Sequence, residues 1–359
     1  MSDKPLHVFA CFGALPFEAS LAIFAELRRQ DPSSEAAFLL TFDADDAQIP
    51  SGVQVFRLVP AMQTFSRWEK PFKVAAWFHG VHRQLLASER PLHAYVPHPA
   101  ELPSNHFVFH KRPGDRVELL PDGLLNYVDA SLAPERVSGW PRYLTRVVLE
   151  LMAAKLYGFS YVPLWSGHQT QFERGLYDAC WTYRADGYLT ISGEVKRVPD
   201  GTGLAAAPTR EREEGVVLYL DQELHGIVSA ELESELRVQS LGVLSEPGVR
   251  RVLYKAHPRG RNRAHELSGR GFPVEDVTGH AAAEALIRAR GVSRVVGFYS
   301  TTLLLASPEE VRERVAVLPE VKRTGVRRPD LVAQAARAFA RSGVRIVWSS
   351  ASPSSGEGA

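Results

Sequence analysis

One histidine and two cations stand where the sequence predicts the end of a buried strand. The run 251–255 has the apolar, β-favouring character of a parallel strand, and the His257-Pro258 step ends it. Lys255 and Arg259 flank that step. Because open α/β sheets bind ligands at the carboxyl ends of their strands, this step is a candidate site for an anionic group. A strand that leaves the sheet through His-Pro for structural reasons alone is the other interpretation.

An acidic turn follows a second predicted strand. The strand at 116–120 runs into Pro121-Asp122-Gly123. Asp and Gly are favoured in such turns on local grounds, which is the structural interpretation. The chemical interpretation makes Asp122 a general base toward an acceptor hydroxyl.

A run of hydroxyl residues, Ser300-Thr301-Thr302, follows a third predicted strand at 294–299. Hydroxyls at the start of a helix lie beside free backbone N–H groups, and such a place binds phosphate or carboxylate. Plain N-capping by Ser300 or Thr301 is the alternative. If the three strand ends act together, the hydroxyls hold a phosphate leaving group that His257 protonates while Asp122 activates the acceptor.

Strand and helix patterns alternate along the chain, which predicts parallel, doubly wound sheets. The strands are predicted at 7–13, 36–42, 53–58, 92–96, 106–110, 116–120, 216–220, 251–255, 273–277, 294–299 and 344–348. The helices are predicted at about 17–29, 67–88, 143–157, 230–244, 281–290 and 330–341.

The polar stretch 204–215 lacks hydrophobic periodicity and divides the chain. We expect a Rossmann-like domain at 1–205 that carries the acceptor-side carboxylate, a linker at 206–215, and a Rossmann-like domain at 216–349 that carries the phosphate-binding hydroxyls. The Ser/Gly/Pro-rich tail at 350–359 is expected to be disordered.

Composition restricts the class of protein. The 359 residues have a net charge of +1, which argues against a dedicated nucleic-acid binder. The two cysteines, Cys11 and Cys180, form no CxxC pattern, so neither a zinc site nor a disulfide framework is indicated. No signal-peptide core or apolar stretch of about 18 residues occurs. We therefore expect a cytoplasmic protein whose contact with a membrane, if it has any, is peripheral.

The order of the three motifs resembles that of bacterial sialyltransferases and polysialyltransferases of the glycosyltransferase-B type. That family has an acidic-acidic-Gly turn, a His-Pro step and a Ser-Ser/Thr pair, which correspond here to Asp122-Gly123, His257-Pro258 and Ser300-Thr301. The resemblance implies two Rossmann-like domains facing each other across a cleft. It further implies an inverting transfer of sialic acid from CMP-sialic acid to a sugar hydroxyl, with no required metal or other cofactor. The implied acceptor is a capsule or lipooligosaccharide glycan, with a sialyl terminus among the candidates.

The resemblance also gives the motif residues their roles. Asp122 becomes the general base, and His257 assists the departure of CMP. Ser300 and Thr301 contact the phosphate or carboxylate of the donor, with Thr302 nearby. The remaining donor-side candidates are Gly123, Lys255, Pro258 and Arg259.

Pro121 departs from the family pattern, because it stands where the first acidic residue usually lies. If that residue is the family's base, Asp122 has to serve here, or Glu118 or Asp129 takes over. Two alternatives stay open: a transferase that uses CMP-Kdo or another nucleotide sugar, and a nucleotide-binding relative without catalysis.

Two further residues are candidates for ligand contact. His168 lies in an aromatic loop that is suited to an acceptor site, although a structural role is its other interpretation. Gln222 follows the strand at 216–220 and is placed to reach a nucleotide.

Overall fold

A computed structural model describes residues 4–44, 46–128, 140–183, 193–199, 210–257, 260–267, 271–278 and 283–349. Asp129, Pro258, Arg259 and the tail at 350–359 lie outside these residues. The chain divides into two compact units, of which the first comprises Met1–Asn126 and Ala130–Ala206 and the second comprises Tyr127–Asp129 and Ala207–Ala359.

The first unit is built on one sheet with helices between its strands. Within the described residues its strands are β1 Leu6–Cys11, β2 Ala36–Leu40, β3 Gln54–Arg57, β4 Leu92–Val96, β5 Arg116–Leu119, β6 Ala179–Thr182 and β7 Glu194–Arg197. Its helices there are α1 Ala14–Gln30, α2 Lys70–Leu86, α3 Leu102–Phe109 and α4 Trp140–Leu156.

The second unit repeats this plan. Its described strands are β8 Val216–Asp221, β9 Arg251–Ala256, β10 Val274–Asp276, β11 Arg294–Gly297, β12 Glu313–Pro319 and β13 Arg345–Ser349. Its described helices are α5 Ala230–Leu244, α6 Ala264–Leu267, α7 Ala283–Arg290, α8 Thr302–Leu305 and α9 Pro329–Arg341.

Both sheets are parallel and doubly wound, as the alternation of strand and helix predicts. The first has the order β3-β2-β1-β4-β5-β6-β7, and the second has β10-β9-β8-β11-β12-β13. Every strand pair in the two sheets is parallel. The strand order reverses between β1 and β4 and between β8 and β11. Sheets of this kind bind ligands beside such reversals, at the carboxyl ends of the strands.

Local signals in the sequence account for several helix starts. Proline occupies the first turn of α2, α3 and α9, where its missing N–H group breaks no helical hydrogen bond. Helix α5 begins after Ser229, whose side chain accepts a hydrogen bond from the Leu232 N–H group.

The strand predicted at 106–110 is wrong, because these residues belong to the end of α3 and the residue after it. The run His-Phe-Val-Phe-His alternates like a strand, but so short an apolar run does not distinguish strand from helix. Pro103 lies in the first turn of the helix, and the Asn105 side chain donates to the Pro99 carbonyl at 2.9 Å. These two features start the helix before the alternating run begins.

The described part of the predicted linker pairs with the second unit. The Arg210 N–H group donates to the Arg288 carbonyl at 3.0 Å, and the Glu213 N–H group donates to the Gly291 carbonyl at 2.8 Å. Residues 210–215 therefore lead directly into β8. Among the described residues, no helix has the length and apolar character needed to cross a bilayer.

Candidate active site

Asp122 lies just past the carboxyl end of β5, in the first unit. Its Oδ2 atom is 3.5 Å from Nε2 of His98, which follows the neighbouring strand β4. The side chain of Asp122 is 26% exposed, so the carboxylate reaches solvent. Gly123 has a φ of 70°, in the left-handed region that favours glycine, and it begins a short 3-10 helix. The acidic turn thus presents a carboxylate at the ligand-binding edge of the first sheet.

The orientation of His98 follows from its other ring nitrogen. The Ala100 N–H group donates to Nδ1 of His98 at 3.2 Å, so Nδ1 carries the lone pair. The neutral ring then carries its hydrogen on Nε2, the atom that faces Asp122. His98 therefore directs an N–H group toward the carboxylate.

The loop that carries His98 is fixed by three side chains from other parts of the first unit. Asn105 donates to the Pro99 carbonyl at 2.9 Å. Arg146 and the Tyr161 hydroxyl both donate to the Ala100 carbonyl, at 3.0 and 3.1 Å. A loop held at successive carbonyls keeps the imidazole in one position, as a catalytic pair requires.

His98 was not among the residues singled out from the sequence. The signal that would have found it is a second His-Pro step, His98-Pro99, directly after the predicted strand at 92–96. It has the same form as the His257-Pro258 step, on which the sequence interpretation rests.

A buried ionic cluster lies beside this loop. Oε1 of Glu101 is 3.0 Å from Nζ of Lys70 and 3.2 Å from an Arg146 nitrogen. Burial alone would raise the pKa of Glu101, but the charges of Arg146 and Lys70 outweigh it and lower the pKa to about 2. Glu101 is therefore a structural carboxylate that holds α2, α4 and the His98 loop together.

Glu150 of α4 is a second buried carboxyl group, and it lies in the electrostatic field of the same cluster. Its Oε2 atom has no hydrogen-bond partner among the described residues. Burial, with the negative charge of Glu101, raises the pKa of Glu150 far above its ordinary value. Across the pH range between the ordinary and the raised pKa, the folded chain holds a proton that the unfolded chain has lost. Stability therefore falls as the pH rises through this range.

We expect Glu150→Gln to remove this loss, because glutamine cannot ionise. The melting temperature of the variant should exceed that of the wild type increasingly between about pH 5 and about pH 8. Each kcal/mol recovered corresponds to about 2–4 °C for a unit of this size. Thermal unfolding followed by circular dichroism over this range measures the difference. If the melting temperatures of the two proteins change with pH in parallel, the raised pKa of Glu150 is contradicted.

The matched control is Glu101→Gln, which should act in the opposite direction. It leaves Lys70 and Arg146 without the carboxylate that faces both of them, and breaking a buried ion pair is strongly destabilising. The melting temperature of this variant should therefore be below that of the wild type at neutral pH.

Glu118 was considered as a replacement base, and its surroundings do not suit that role. It is 1% exposed and accepts hydrogen bonds from the Trp181 indole and from Lys196, while Nε2 of His93 lies 3.0 Å away. Burial raises the pKa of Glu118, but the hydrogen bonds and charges of His93 and Lys196 outweigh it and lower the pKa to about 2. A buried carboxylate with so low a pKa is a poor proton acceptor for a solvent-borne hydroxyl.

His168 is buried within its own loop. Its Nδ1 atom accepts from the Thr170 N–H group at 3.1 Å and lies 2.7 Å from the Thr170 hydroxyl. Its backbone N–H group donates to Glu173 at 2.7 Å, and its ring packs against Phe172. These contacts order the loop, which favours the structural interpretation of His168 over contact with an acceptor.

His257 lies one residue beyond β9, in the second unit, and its side chain is exposed. Its backbone N–H group donates to the Asp221 carbonyl at the end of β8, at 2.8 Å. The Gly260 N–H group donates to the His257 carbonyl at 2.8 Å, and the Arg261 N–H group donates to the Glu223 carboxylate at 3.1 Å. Lys255 belongs to β9 itself, where it pairs with Leu220.

The segment that carries His257 is anchored to a buried polar network. Asp221 accepts hydrogen bonds from Arg237 and, at 2.6 Å, from the Tyr254 hydroxyl. The same hydroxyl accepts from the Arg263 N–H group at 2.8 Å. The network joins β8, β9 and α5 beneath the exposed imidazole, so the position of His257 is set by buried groups.

The end of β11 is tied to the end of β8 at the reversal of strand order. Oε1 of Gln222 accepts a hydrogen bond from the Tyr299 N–H group at 2.7 Å. A Cβ atom on Gly297 would lie 3.2 Å from Cβ of Leu220, so glycine permits the close approach of the two strands. Gln222 thus fixes the backbone that leads into Ser300.

The hydroxyl run follows immediately. Ser300 and Thr302 are buried, and Thr301 is partly exposed. The predicted helix start is present, but α8 is only a single turn of four residues. Thr301 is the residue before this turn, and its side chain makes no capping hydrogen bond. The plain N-capping interpretation therefore does not hold for Thr301.

Three solved structures resemble the chain across both units. A sialyltransferase glycosyltransferase-B domain from Photobacterium damselae has a TM-score of 0.53 at 16% identity, and the match covers 96% of this chain and 100% of that one. A sialyltransferase structure from Photobacterium damsela has a TM-score of 0.51 at 14% identity and coverages of 97% and 82%. A 2,6-sialyltransferase from a Vibrionaceae Photobacterium, in a ternary complex with CMP and lactose, has a TM-score of 0.52 at 15% identity and coverages of 96% and 78%.

At these identities the likeness concerns the fold. No family model matches the sequence, and no curated protein matches it either. The chain has the glycosyltransferase-B fold, with two Rossmann-like units, so the predicted fold class is confirmed. Within each unit, the candidate residues lie at the edge of the sheet where this fold class binds ligands.

Proposed function

We propose that the protein is an inverting sialyltransferase that moves sialic acid from CMP-sialic acid to a glycan hydroxyl without a metal ion. The observation that carries the proposal is the carboxylate of Asp122, which His98 faces at the ligand-binding edge of the first sheet. The fold likeness to three sialyltransferase structures supports the choice of reaction class. The order of the sequence motifs supports the choice of donor.

On the acceptor side, Asp122 takes the proton of the attacking hydroxyl. The acceptor oxygen then forms a bond to the anomeric carbon of sialic acid as the bond from that carbon to the phosphate oxygen breaks. The N–H group of His98 faces the carboxylate and orients it. A base that is oriented but still exposed suits a carbohydrate hydroxyl that enters from solvent.

On the donor side, the electron pair of the breaking bond goes to the phosphate of CMP. His257 donates a proton or a hydrogen bond to that phosphate, while Ser300, Thr301 and Thr302 offer hydroxyl donors. Donors that meet developing charge stabilise the transition state most. Lys255, Pro258 and Arg259 complete the proposed donor side, and a capsule or lipooligosaccharide glycan is the proposed acceptor.

The decisive measurement is CMP release from CMP-sialic acid in EDTA, with and without a panel of galactosyl and sialyl acceptors. We expect release to rise with one class of acceptor and to be unaffected by EDTA. Release that requires added Mg²⁺ would contradict the metal-independent mechanism.

Two competing functions give different results in the same assay. A transferase for CMP-Kdo would release CMP from CMP-Kdo and not from CMP-sialic acid. A transferase for a sugar on another nucleotide would release that nucleotide from its own donor and no CMP from CMP-sialic acid. A nucleotide-binding relative, which Pro121 in place of an acidic residue keeps open, would bind CMP and release none from any donor.

A further inference from the structure

Two tryptophans of the first unit are exposed, and neither has a role in the site described above. Trp68 is 51% exposed and Trp165 is 46% exposed, although the Arg67 guanidinium lies over the Trp68 ring, 4.9 Å from its centre. The other tryptophan side chains that the structure describes in this unit, Trp77 and Trp181, pack against the hydrophobic core. An indole combines a large apolar face with a polar N–H group, so an exposed one suits a ligand that presents both kinds of surface.

Trp68 lies at the ligand-binding edge of the first sheet, because it belongs to the crossing from the carboxyl end of β3 to α2. This crossing is also held to the end of β2, where the Met62 N–H group donates to the Thr41 carbonyl at 2.7 Å. The turn that carries the indole is fixed by Ser66 and Glu69. The Ser66 hydroxyl donates to the Glu69 carboxylate at 2.5 Å, and the Glu69 N–H group donates to the same hydroxyl oxygen at 3.3 Å.

Trp165 is held on both sides of its position in the chain. The segment after α4 returns to the first turn of that helix, where the Tyr143 hydroxyl donates to the Leu164 carbonyl. The Gln171 side chain donates to the Ser166 carbonyl at 2.8 Å. Because the carbonyls before and after Trp165 are both hydrogen-bonded, the loop presents the ring in one position, which lowers the entropy cost of binding a ligand there.

Both tryptophan segments are tied to the loop that carries His98. Lys70, two residues after the first tryptophan, is 3.0 Å from the Glu101 carboxylate of that loop. The Tyr161 hydroxyl, four residues before the second tryptophan, donates to the Ala100 carbonyl of the same loop at 3.1 Å. Two residues span at most about 7 Å and four at most about 14 Å. Both indoles therefore lie within reach of a glycan of several rings that places one hydroxyl at the carboxylate facing His98.

We propose that Trp68 and Trp165 bind the acceptor glycan, each through the C–H face of a sugar ring beyond the ring whose hydroxyl is attacked. The inference rests on the proposed transfer to a glycan, and it specifies the acceptor as an oligosaccharide of several rings. The neighbours of the two indoles in the chain include the exposed polar residues Arg67, Glu69 and Ser166. Sugar hydroxyls can hydrogen-bond to these groups, whereas an apolar partner surface would cover them without replacing their water.

The test measures glycan binding by the full chain without donor, and then acceptor kinetics with CMP-sialic acid. The galactosyl probes are methyl β-galactoside, lactose and lacto-N-neotetraose, and the sialyl probes are sialic acid and its linear oligomers. We expect the affinity of the wild type to rise with glycan length in one series. Trp68→Ala and Trp165→Ala should each lower the affinity for the longest glycan of that series about tenfold. The affinity for the single sugar and kcat at saturating acceptor should stay unchanged, because only binding shared by ground state and transition state is lost.

Two further variants of Trp68 separate stacking from bulk apolar contact. Trp68→Phe keeps an aromatic face and should restore most of the affinity, whereas Trp68→Leu should not. Trp348→Ala is the matched control, because Trp348 is 40% exposed on β13 of the second unit and has no place in the proposed mechanism. Its replacement should leave every affinity unchanged. The exposure of all three indoles favours folding of the variants, which circular dichroism verifies.

Unchanged affinity for the longest glycan in either Trp68→Ala or Trp165→Ala would overturn the inference. So would an equal loss for the single sugar and the longest glycan, or no binding of any probe by the wild type. If glycans bind with this dependence on length while no CMP is released from any donor, the glycan subsite is confirmed and the proposed transfer is contradicted.

Discussion

Replacement of His257 by alanine should lower the turnover of sialyl transfer by about 10²–10⁴-fold, the range for loss of a general acid. The imidazole is exposed one residue past β9, and the Asp221 carbonyl fixes its backbone. Without it, the phosphate of CMP departs with no proton donor. An imidazole that donates a proton becomes ineffective as the pH rises, so the alkaline limb of the pH–rate profile should flatten in the variant. Steady-state rates of CMP release over a pH series measure both effects.

His265→Ala is the matched control for this substitution. His265 is an exposed histidine of α6 in the same unit, eight positions along the chain, and it has no place in the proposed mechanism. Its replacement should leave turnover and the pH profile unchanged. If His257→Ala retains full turnover while the protein stays folded, the role assigned to His257 is wrong.

The strands that carry the candidate site were predictable from the sequence, because parallel strands covered on both faces appear as short, unbroken apolar runs. All residues of β1, β2 and β8 are buried, and their predicted bounds agree with the structure to within about two residues. Since the Asp122, His257 and Ser300 motifs directly follow such runs, their placement at strand ends was predictable as well. The catalytic role of each residue could not be predicted from this placement.

Side-chain pairs between distant residues could not be read in the same way. The contact of Asp122 with His98 depends on β5 lying beside β4, which only the strand order shows. Glu118 is a plain carboxylate in the sequence, and its partners come from positions 93, 181 and 196. Asp122 and Glu118 differ in their burial and in the side chains that contact them. Both of these properties depend on residues that are distant in the sequence.

The sequence analysis missed three strands, β6, β7 and β12, and the last two were missed for different reasons. Strand β7 has the composition Glu-Val-Lys-Arg and lies at the edge of the sheet, where exposure removes the apolar signal. Strand β12 is apolar and buried, but its Arg314 also lies inside the core, where it donates to the carbonyls of Leu303 and Ala306. A charged residue at the start of a buried strand is stable only because those carbonyls accept its hydrogen bonds.

Asp122→Asn should lower the turnover of transfer by about 10²–10⁴-fold while leaving the affinity for CMP unchanged. Asparagine keeps the shape of the side chain and an oxygen that can face the His98 N–H group, so the loss isolates basicity from position. CMP affinity should not change, because the assigned donor contacts at His257 and Ser300 belong to the second unit. Turnover with saturating acceptor and calorimetric titration with CMP measure the two quantities.

Two companion variants decide between the carboxylates that the sequence left open. Asp129→Asn should have little effect, whereas a loss as large as that expected for Asp122→Asn would transfer the base to Asp129. Glu118→Gln should lower the melting temperature, because His93 and Lys196 lose their buried counter-charge.

His98→Ala should lower turnover by up to about 10²-fold, because the Asp122 carboxylate remains but loses the group that orients it. If Asp122→Asn keeps full turnover, Asp122 is not the general base, and the reason for assigning a catalytic group to the first unit is lost.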